Sequence, residues 1–548
     1  LDDGHTQFRL WAPGAERVAV EIEGAEAVPM TPREDGWHTA TVSSGAGTLY
    51  RFRLPDGETI PDPASRSQPR GVFGPSLVTN PEGYEWQHPS WLGRPWHEAI
   101  IYEVHPGLLD GFAGIARRLP ALAELGVTAV ELMPIAEFSG SRNWGYDGVL
   151  PYAPAHAYGT PADLKALVDH AHGLGLMMFL DVVYNHFGPD GNFLPLYAPA
   201  FFRDDIHTPW GAAIDFRRPE VRRFFTENAR MWLGEYRFDG LRLDAVHAIP
   251  ESDWVPDMAA ELRAEFPGRH LHIMLENEKN HAHYLRDTSD AQWNDDFHNV
   301  LHVLLTGETH AYYTDFANRP AERLARALAE GFIYQGEPSP NHGGRRRGTP
   351  SADLPPTAFI NFLQNHDQVG NRALGDRLIS LADPEALKAA TALLLLSPGI
   401  PLIFMGEEDG STTPFLFFTD FQDALADAVR DGRRREFARF PAFADPTSRT
   451  QIPDPNAPAT FEASRPAPGP DATTWRRLYR DLLALRHRRI IPHLPGARAI
   501  GAEAIGEKSV RAQWVLGNGA QLTIATNLAT TPVATDLPRT IPLWGQTS

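Results

Sequence analysis

The chain has 548 residues, 42% hydrophobic and 22% charged, which fits a globular protein of about two to four domains and excludes a mainly disordered one. Its formal net charge of −19 repels phosphate backbones and acidic lipid, so no nucleic-acid partner and no membrane association are expected; a neutral sugar is indifferent to that sign. There is no cysteine, which excludes disulfides, thiolate nucleophiles and Cys-ligated zinc, and suits a reducing, cytoplasmic setting.

The start, residues 1–6, is polar and acidic, and no signal peptide is read there. Residues 7–55 alternate apolar and polar positions, with Val18, Val20 and Ile22 on one face and Tyr50, Phe52 and Leu54 on another. Short strands punctuated by Gly, Pro and Asp predict a small β-sandwich. A Pro- and Gly-rich connector over 55–95 puts a domain boundary near residue 90. From residue 99 the pattern changes: apolar runs at 100–104, 127–133, 177–183, 241–246, 272–275, 359–363 and 401–404, with a weaker one at 291–294, alternate with amphipathic helices such as 163–173, 219–233 and 384–396. Thr160-Pro161, Pro219-Glu220 and Asp383-Pro384 are helix-start signals. Eight strand–helix alternations predict a closed parallel (β/α)8 barrel over 91–495. A doubly wound open sheet is the alternative, but no glycine-rich phosphate loop follows the first run.

Two insertions interrupt this pattern. One, 186–214, is aromatic and Pro-rich like a small lid; the other, 336–356, carries Arg345, Arg346 and Arg347, read as a solvated loop, with the rim of a cleft as the alternative. The apolar stretch 391–405 contains Ser397, Pro398, Gly399 and Pro401, so it reads as a buried helix turning into a buried strand rather than a membrane span. A basic helix at 474–489 precedes a small C-terminal β domain, 496–548.

In a parallel barrel, functional side chains sit at the C-terminal ends of strands. Four runs end in acids: Asp181-Val-Val-Tyr-Asn185-His186, Arg242-Leu-Asp244-Ala-Val-His247, Leu275-Glu276-Asn277-Glu278 and Gln364-Asn365-His366-Asp367-Gln368. Any single strand-end Asp can cap a helix or pair with an Arg. Four on one rim are costly as scaffolding, because each buried carboxylate needs a partner or a use. Metal hydrolysis is one chemistry for such a rim, but no His pair has ligand spacing on one helix. Glycoside hydrolysis fits better: retention of configuration needs a nucleophilic carboxylate and a protonated acid about 5–5.5 Å apart, which adjacent barrel strands can supply. Asp244 and Glu276 lie on neighbouring strands. Arg242, two residues before Asp244, shares its strand face and can keep it ionised, leaving Glu276 as the acid.

These four segments, in this order, resemble the four signature regions of the α-amylase family of glycoside hydrolases. Carried over by position, the resemblance implies that Asp244 is the nucleophile, Glu276 the general acid/base and Asp367 the third acid that binds sugar hydroxyls. It also implies that Arg242 stands beside the nucleophile and that His186 and His366 bind the −1 sugar. Asp181 and Asn185 take structural and orienting roles, and Tyr146, in Asn143-Trp144-Gly-Tyr146-Asp147, stacks on that sugar. The segment 143–148 and its continuation to Gly191, with 362–372, further resemble maltooligosyltrehalose trehalohydrolases; Phe8-Arg-Leu-Trp-Ala-Pro13 resembles the β-sandwich these share with glycogen branching and debranching enzymes.

The resemblance implies hydrolysis of the α-1,4 bond next to a terminal trehalose. Maltooligosyltrehalose and maltooligosaccharides would be the ligands, with no cofactor and no metal required. Asn277, Glu278, Gln368 and Arg372, beside the catalytic positions, are candidate trehalose contacts, with support of a neighbouring catalytic side chain or the start of a helix as the alternative. Trp144, Trp210 and Trp254 are candidate stacking faces, each against the alternative of core packing. A glycogen branching enzyme, with the same acids but a glucan hydroxyl as acceptor, is the rival activity. A non-catalytic barrel serving as a transporter partner or glucan-binding module would predict lost catalytic acids or a membrane anchor, and neither is read in the sequence.

Overall fold

A computed structural model describes residues 4–535 and 543–544. Eight parallel strands close into a barrel: β1 Ile101–Val104, β2 Ala129–Leu132, β3 Met177–Val182, β4 Gly240–Leu243, β5 His272–Leu275, β6 Ala291–Trp293, β7 Phe359–Asn361 and β8 Ile400–Phe404. They run in sequence order, β8 returning to β1 through Ile403 opposite Tyr102. The doubly wound alternative is therefore excluded. Every strand residue is buried, as expected of strands covered by helices outside and filled within.

The helix-start signals act as their chemistry requires. Thr160 and Asp163 form a reciprocal capping box on Pro161–Gly173, and Asp383 accepts from Glu385 N and Ala386 N at the head of Pro384–Leu396. That helix passes through Ser397 into β8, so the long apolar stretch is a core helix and strand. Among the described residues no helix is long and apolar enough to cross a membrane.

Ahead of the barrel, a three-stranded and a five-stranded antiparallel sheet face each other across Phe8, Leu10, Val18, Val20 and Phe52. Part of the expected connector belongs to this unit: Thr59–Ile60 and Ser76–Leu77 both pair with Leu49–Arg53. The sandwich is tied to the barrel by Arg66, whose guanidinium grips Glu235 at 2.8 and 3.0 Å. After the barrel, Arg498–Gly506, Ser509–Val515 and Gln521–Asn527 form an antiparallel sheet. The remainder of the predicted C-terminal domain, 536–542 and 545–548, lies outside the described residues.

Candidate active site

The C-terminal ends of β3, β4 and β5 bring their acids together around one guanidinium, and Asp367, beyond β7, acts on Glu276 by its charge. Arg242, fully buried on β4, donates from Nη1 to Asp244 Oδ1 at 2.8 Å and to both oxygens of Asp181 at 2.9 and 2.8 Å, and from Nη2 to Glu276 Oε2 at 2.8 Å. The Trp293 ring of β6 lies under the guanidinium carbon at 4.1 Å, filling the space that water would otherwise occupy. Asp244 Oδ2 accepts from Asn185 Nδ2 at 2.6 Å. The chain turns sharply after Asp244: Ala245 takes a left-handed φ of 40°, and its N–H donates to Glu276 Oε2, 3.0 Å away. Such a conformation is costly for a residue with a Cβ and persists where surrounding contacts over-determine it.

This arrangement separates the two carboxyls electrostatically. Burial raises Asp244, but Arg242, His186 and the Asn185 hydrogen bond more than offset it and hold the group below its ordinary value. Burial pushes Glu276 well above its ordinary value, and the charges of Asp244, Asp367 and Asp295 add to this against the pull of Arg242. One acid is thus kept ionised and its neighbour protonated, the pairing that acid-assisted displacement needs. Burial also raises Asp181 to about 6 against the opposing Arg242, and its Oδ2 accepts from Tyr146 Oη at 2.7 Å.

Tyr146 is positioned by its own loop. Asn143 Oδ1 accepts from Gly145 N at 2.7 Å and its Nδ2 donates to Asp147 at 2.7 Å. Gly145 has a φ of +106°, and a Cβ there would sit 2.2 Å from the Pro134 carbonyl oxygen, so only glycine fits. The Tyr146 ring stacks on His366 at 5.1 Å and 25°. Asp367 is part-exposed, its Oδ1 3.5 Å from His366 Nε2 and accepting from Asn371 Nδ2 at 3.2 Å.

Several predicted contacts are placed differently. Trp144 has no open face for a sugar: it is 5% exposed, stacked on Phe415 and hydrogen-bonded to the Leu416 carbonyl, so it walls the site. Asn277 is turned into the protein, 2% exposed, its Oδ1 capping the turn at Lys279 N. Arg372 spends both terminal nitrogens on Glu308, at 2.7 and 2.9 Å. Both ring nitrogens of His186 are engaged, by Asn185 Oδ1 at 2.5 Å and the Tyr146 carbonyl at 2.9 Å. Glu278 is on the surface, bridging to His342 at 3.0 Å. Gln368 faces the rim, donating to Asp295 Oδ1 at 3.2 Å. The arginine run splits: Arg345 and Arg346 are exposed, but Arg347 is 7% exposed, because Asp296 Oδ1 and the Glu278 carbonyl take its donors at 2.8 Å each. Of the other stacking candidates, Trp254 is buried core, whereas Trp210 is exposed and lies over His186 at 4.8 Å and 11°.

Three acids were missed. Glu103 on β1 and Glu131 on β2, in register with one another, are buried inside the barrel, and Asp295 follows β6 on the rim, raised to about 7 by burial and by Asp367. The available signal was an acid in the middle of an otherwise apolar run, as in Ile-Tyr-Glu103-Val and Ala-Val-Glu131-Leu.

A family model for the alpha amylase catalytic domain matches residues 78–194, and one for a domain of unknown function matches 497–548. A malto-oligosyltrehalose trehalohydrolase of Deinococcus radiodurans is 42% identical over 500 residues, covering 89% of this chain and 82% of the relative. The corresponding protein of Saccharolobus solfataricus is 40% identical over 85% of this chain and 82% of its own. The chain belongs to the malto-oligosyltrehalose trehalohydrolase family. A solved structure from Salmonella typhimurium, described only provisionally as an alpha amylase, is 46% identical, with a TM-score of 0.92 over 97% of this chain and 93% of its own. A pullulanase from Anoxybacillus, 18% identical with a TM-score of 0.71, shares the fold. A Streptomyces avermitilis 1,4-alpha-glucan branching enzyme is 37% identical over only 48% of this chain, so family membership rests on the relatives that match nearly end to end.

Proposed function

We propose that this chain is a retaining glycoside hydrolase that cleaves the α-1,4 bond adjacent to the terminal trehalose of maltooligosyltrehalose, releasing trehalose and a maltooligosaccharide. The observation that carries the chemistry is the single buried guanidinium of Arg242 shared by Asp244 and Glu276, with one carboxyl displaced down and the other up. Retention requires two carboxyls about 5–5.5 Å apart, a scale compatible with two groups held on the two ends of one guanidinium. The family relatives, which carry this substrate in their names, support the choice of bond.

In this mechanism the Asp244 carboxylate attacks the anomeric carbon while Glu276 gives its proton to the departing glycosidic oxygen, freeing trehalose. The glycosyl ester on Asp244 is then hydrolysed by water, which Glu276, now ionised, deprotonates. The ester bond breaks, Asp244 leaves as a carboxylate and Glu276 recovers its proton. Asp367, beside His366, accepts sugar hydroxyls and favours the flattened ring. Arg242 holds both carboxyls in register and Asp181 offsets its charge. A role in trehalose formation fits this product, and the cysteine-free composition suits a cytoplasmic place.

The test is incubation of the purified chain with maltooligosyltrehalose and, separately, with a linear α-1,4-glucan. Free trehalose from the first and an unbranched second are expected. A branched polymer with no trehalose would replace this reading by transglycosylation.

A further inference from the structure

Beneath the catalytic rim, Glu103 of β1 is 1% exposed and gives both oxygens to His366: Oε1 lies 2.5 Å from Nδ1 and Oε2 accepts the backbone N–H at 3.0 Å. The ring is clamped from other directions by the Tyr146 stack and by the edge of Trp144 at 5.6 Å. With Nδ1 committed downward, Nε2 faces Asp367 Oδ1 at 3.5 Å. The neighbouring Glu131 is also 1% exposed, and neither of its oxygens has a hydrogen-bond partner. An ionised carboxylate there would have no hydrogen bond, and burial, with Glu103 and Asp181, raises Glu131 well above its ordinary value against the pull of Arg242 and His366, so Glu131 is the neutral neighbour, whereas Glu103 is the one hydrogen-bonded to His366.

We propose that Glu103 is a positioning residue for the reaction: it holds His366 from below as an imidazolium with its Nε2–H turned to Asp367 and the sugar. This rests on the reading of the rim as the sugar-binding site. His366 then serves as a fixed, charge-assisted donor that does not have to reorient when substrate enters. The groups around it are consistent with that charge. Burial and Arg242 of β4 oppose it, while the nearby His105 after β1, lowered to about 4 by burial, is neutral and adds no opposing charge. Glu103 and Asp367 favour it and bring the ring to about 9, and Asp181 of β3 adds a further negative charge.

The experiment is the His366 imidazole signal, followed by NMR from pH 5 to 9 in the full chain, beside kcat and KM profiles for Glu103→Gln, Glu103→Asp and Glu131→Gln. The wild type should keep His366 protonated through pH 8. In Glu103→Gln the ring should be neutral at pH 7, with kcat/KM at pH 7.5 down about 10- to 100-fold, the range for losing a hydrogen bond to a charged group. Part of that loss should be recovered at pH 5.5, and Glu103→Asp should restore part of it at both values. Glu131→Gln should keep the wild-type profile.

A neutral His366 at pH 7 in the wild type would overturn the proposal even if no variant folds. So would a wild-type pH profile in Glu103→Gln, or an equal shift in Glu131→Gln. If the wild type releases no trehalose, the functional reading fails, while the NMR titration still decides the state of His366.

Discussion

At the scale of single residues, Asp244 and Glu276 are alike in chemistry and opposite in environment. Asp244→Asn removes the attacking oxygen's charge but leaves Arg242 paired with Asp181 and Glu276. Turnover of maltooligosyltrehalose should fall by about 10³-fold or more, while the thermal midpoint and oligosaccharide binding stay near wild type; near-normal turnover would refute the nucleophile assignment. The pH profile follows from the two displacements. Activity should rise as Asp244 loses its proton, below its ordinary 3.8, and fall as Glu276 loses its own, above its ordinary 4.5. Glu276→Gln should remove that group's part of the alkaline limb in what activity remains, leaving the decline set by His366 at about 9. Asp244 and Glu276 were legible in sequence because each directly follows an apolar strand. Glu103 was passed over because a lone acid inside a strand does not reveal what waits 263 positions away to pair with it.

At the scale of elements, strands and loops divide the work. The strands set the levels through register: Asp181 lies opposite Arg242, and Leu243 opposite Leu275, so that Asp244 and Glu276 are the next residue on each of two neighbouring strands. The loops then decide which side chains remain open. The 336–356 insertion is pinned by Arg347, whose partner Asp296 also accepts from Ile333 N, Tyr334 N and Asn280 Nδ2. Arg347→Ala would leave Asp296 buried without its cation, a change worth about 3–5 kcal/mol. Protease cleavage within 336–356 should accelerate and the thermal midpoint should drop; an unchanged digestion pattern would show that the loop is held by other contacts. The sequence marked this run as solvated because three successive arginines share a composition, whereas only one of them meets an acid in space.

For the whole molecule, we propose the division 1–90, 91–495 and 496–548, with the barrel as the common support of both β units. The N-terminal sandwich docks through Arg66 and Glu235, and the C-terminal sheet lies against helices Pro320–Glu330 and Pro384–Leu396. Stability against pH belongs to this scale. Burial raises Glu407, just beyond β8, to about 8; its oxygens accept from Phe404 N at 2.8 Å and Tyr479 Oη at 3.1 Å, joining the last strand to the helix Ala472–Arg489. Between about pH 4.3, the unfolded value, and about 8, the folded chain holds a proton that the unfolded chain has lost, so this group's contribution declines as pH rises through that window. Calorimetry should show the wild-type midpoint falling from pH 5 to 8 and Glu407→Gln flattening that slope; parallel curves would exclude Glu407 as its source.

What the sequence determined by itself was periodic or local: the eight strand–helix alternations, the helix starts at Thr160 and Asp383, and the acids at strand ends. Each is a pattern of neighbours along the chain, set by side-chain alternation and capping chemistry. Only the tertiary structure decided partnership. Closing the barrel brought Glu103 to His366 and Asp296 to Arg347, covered Trp144 with Phe415, and turned Asn277 inward. Burial, charge compensation and the protonation of a carboxyl depend on which distant atoms share a few cubic ångströms, and spacing along the chain carries no information about that.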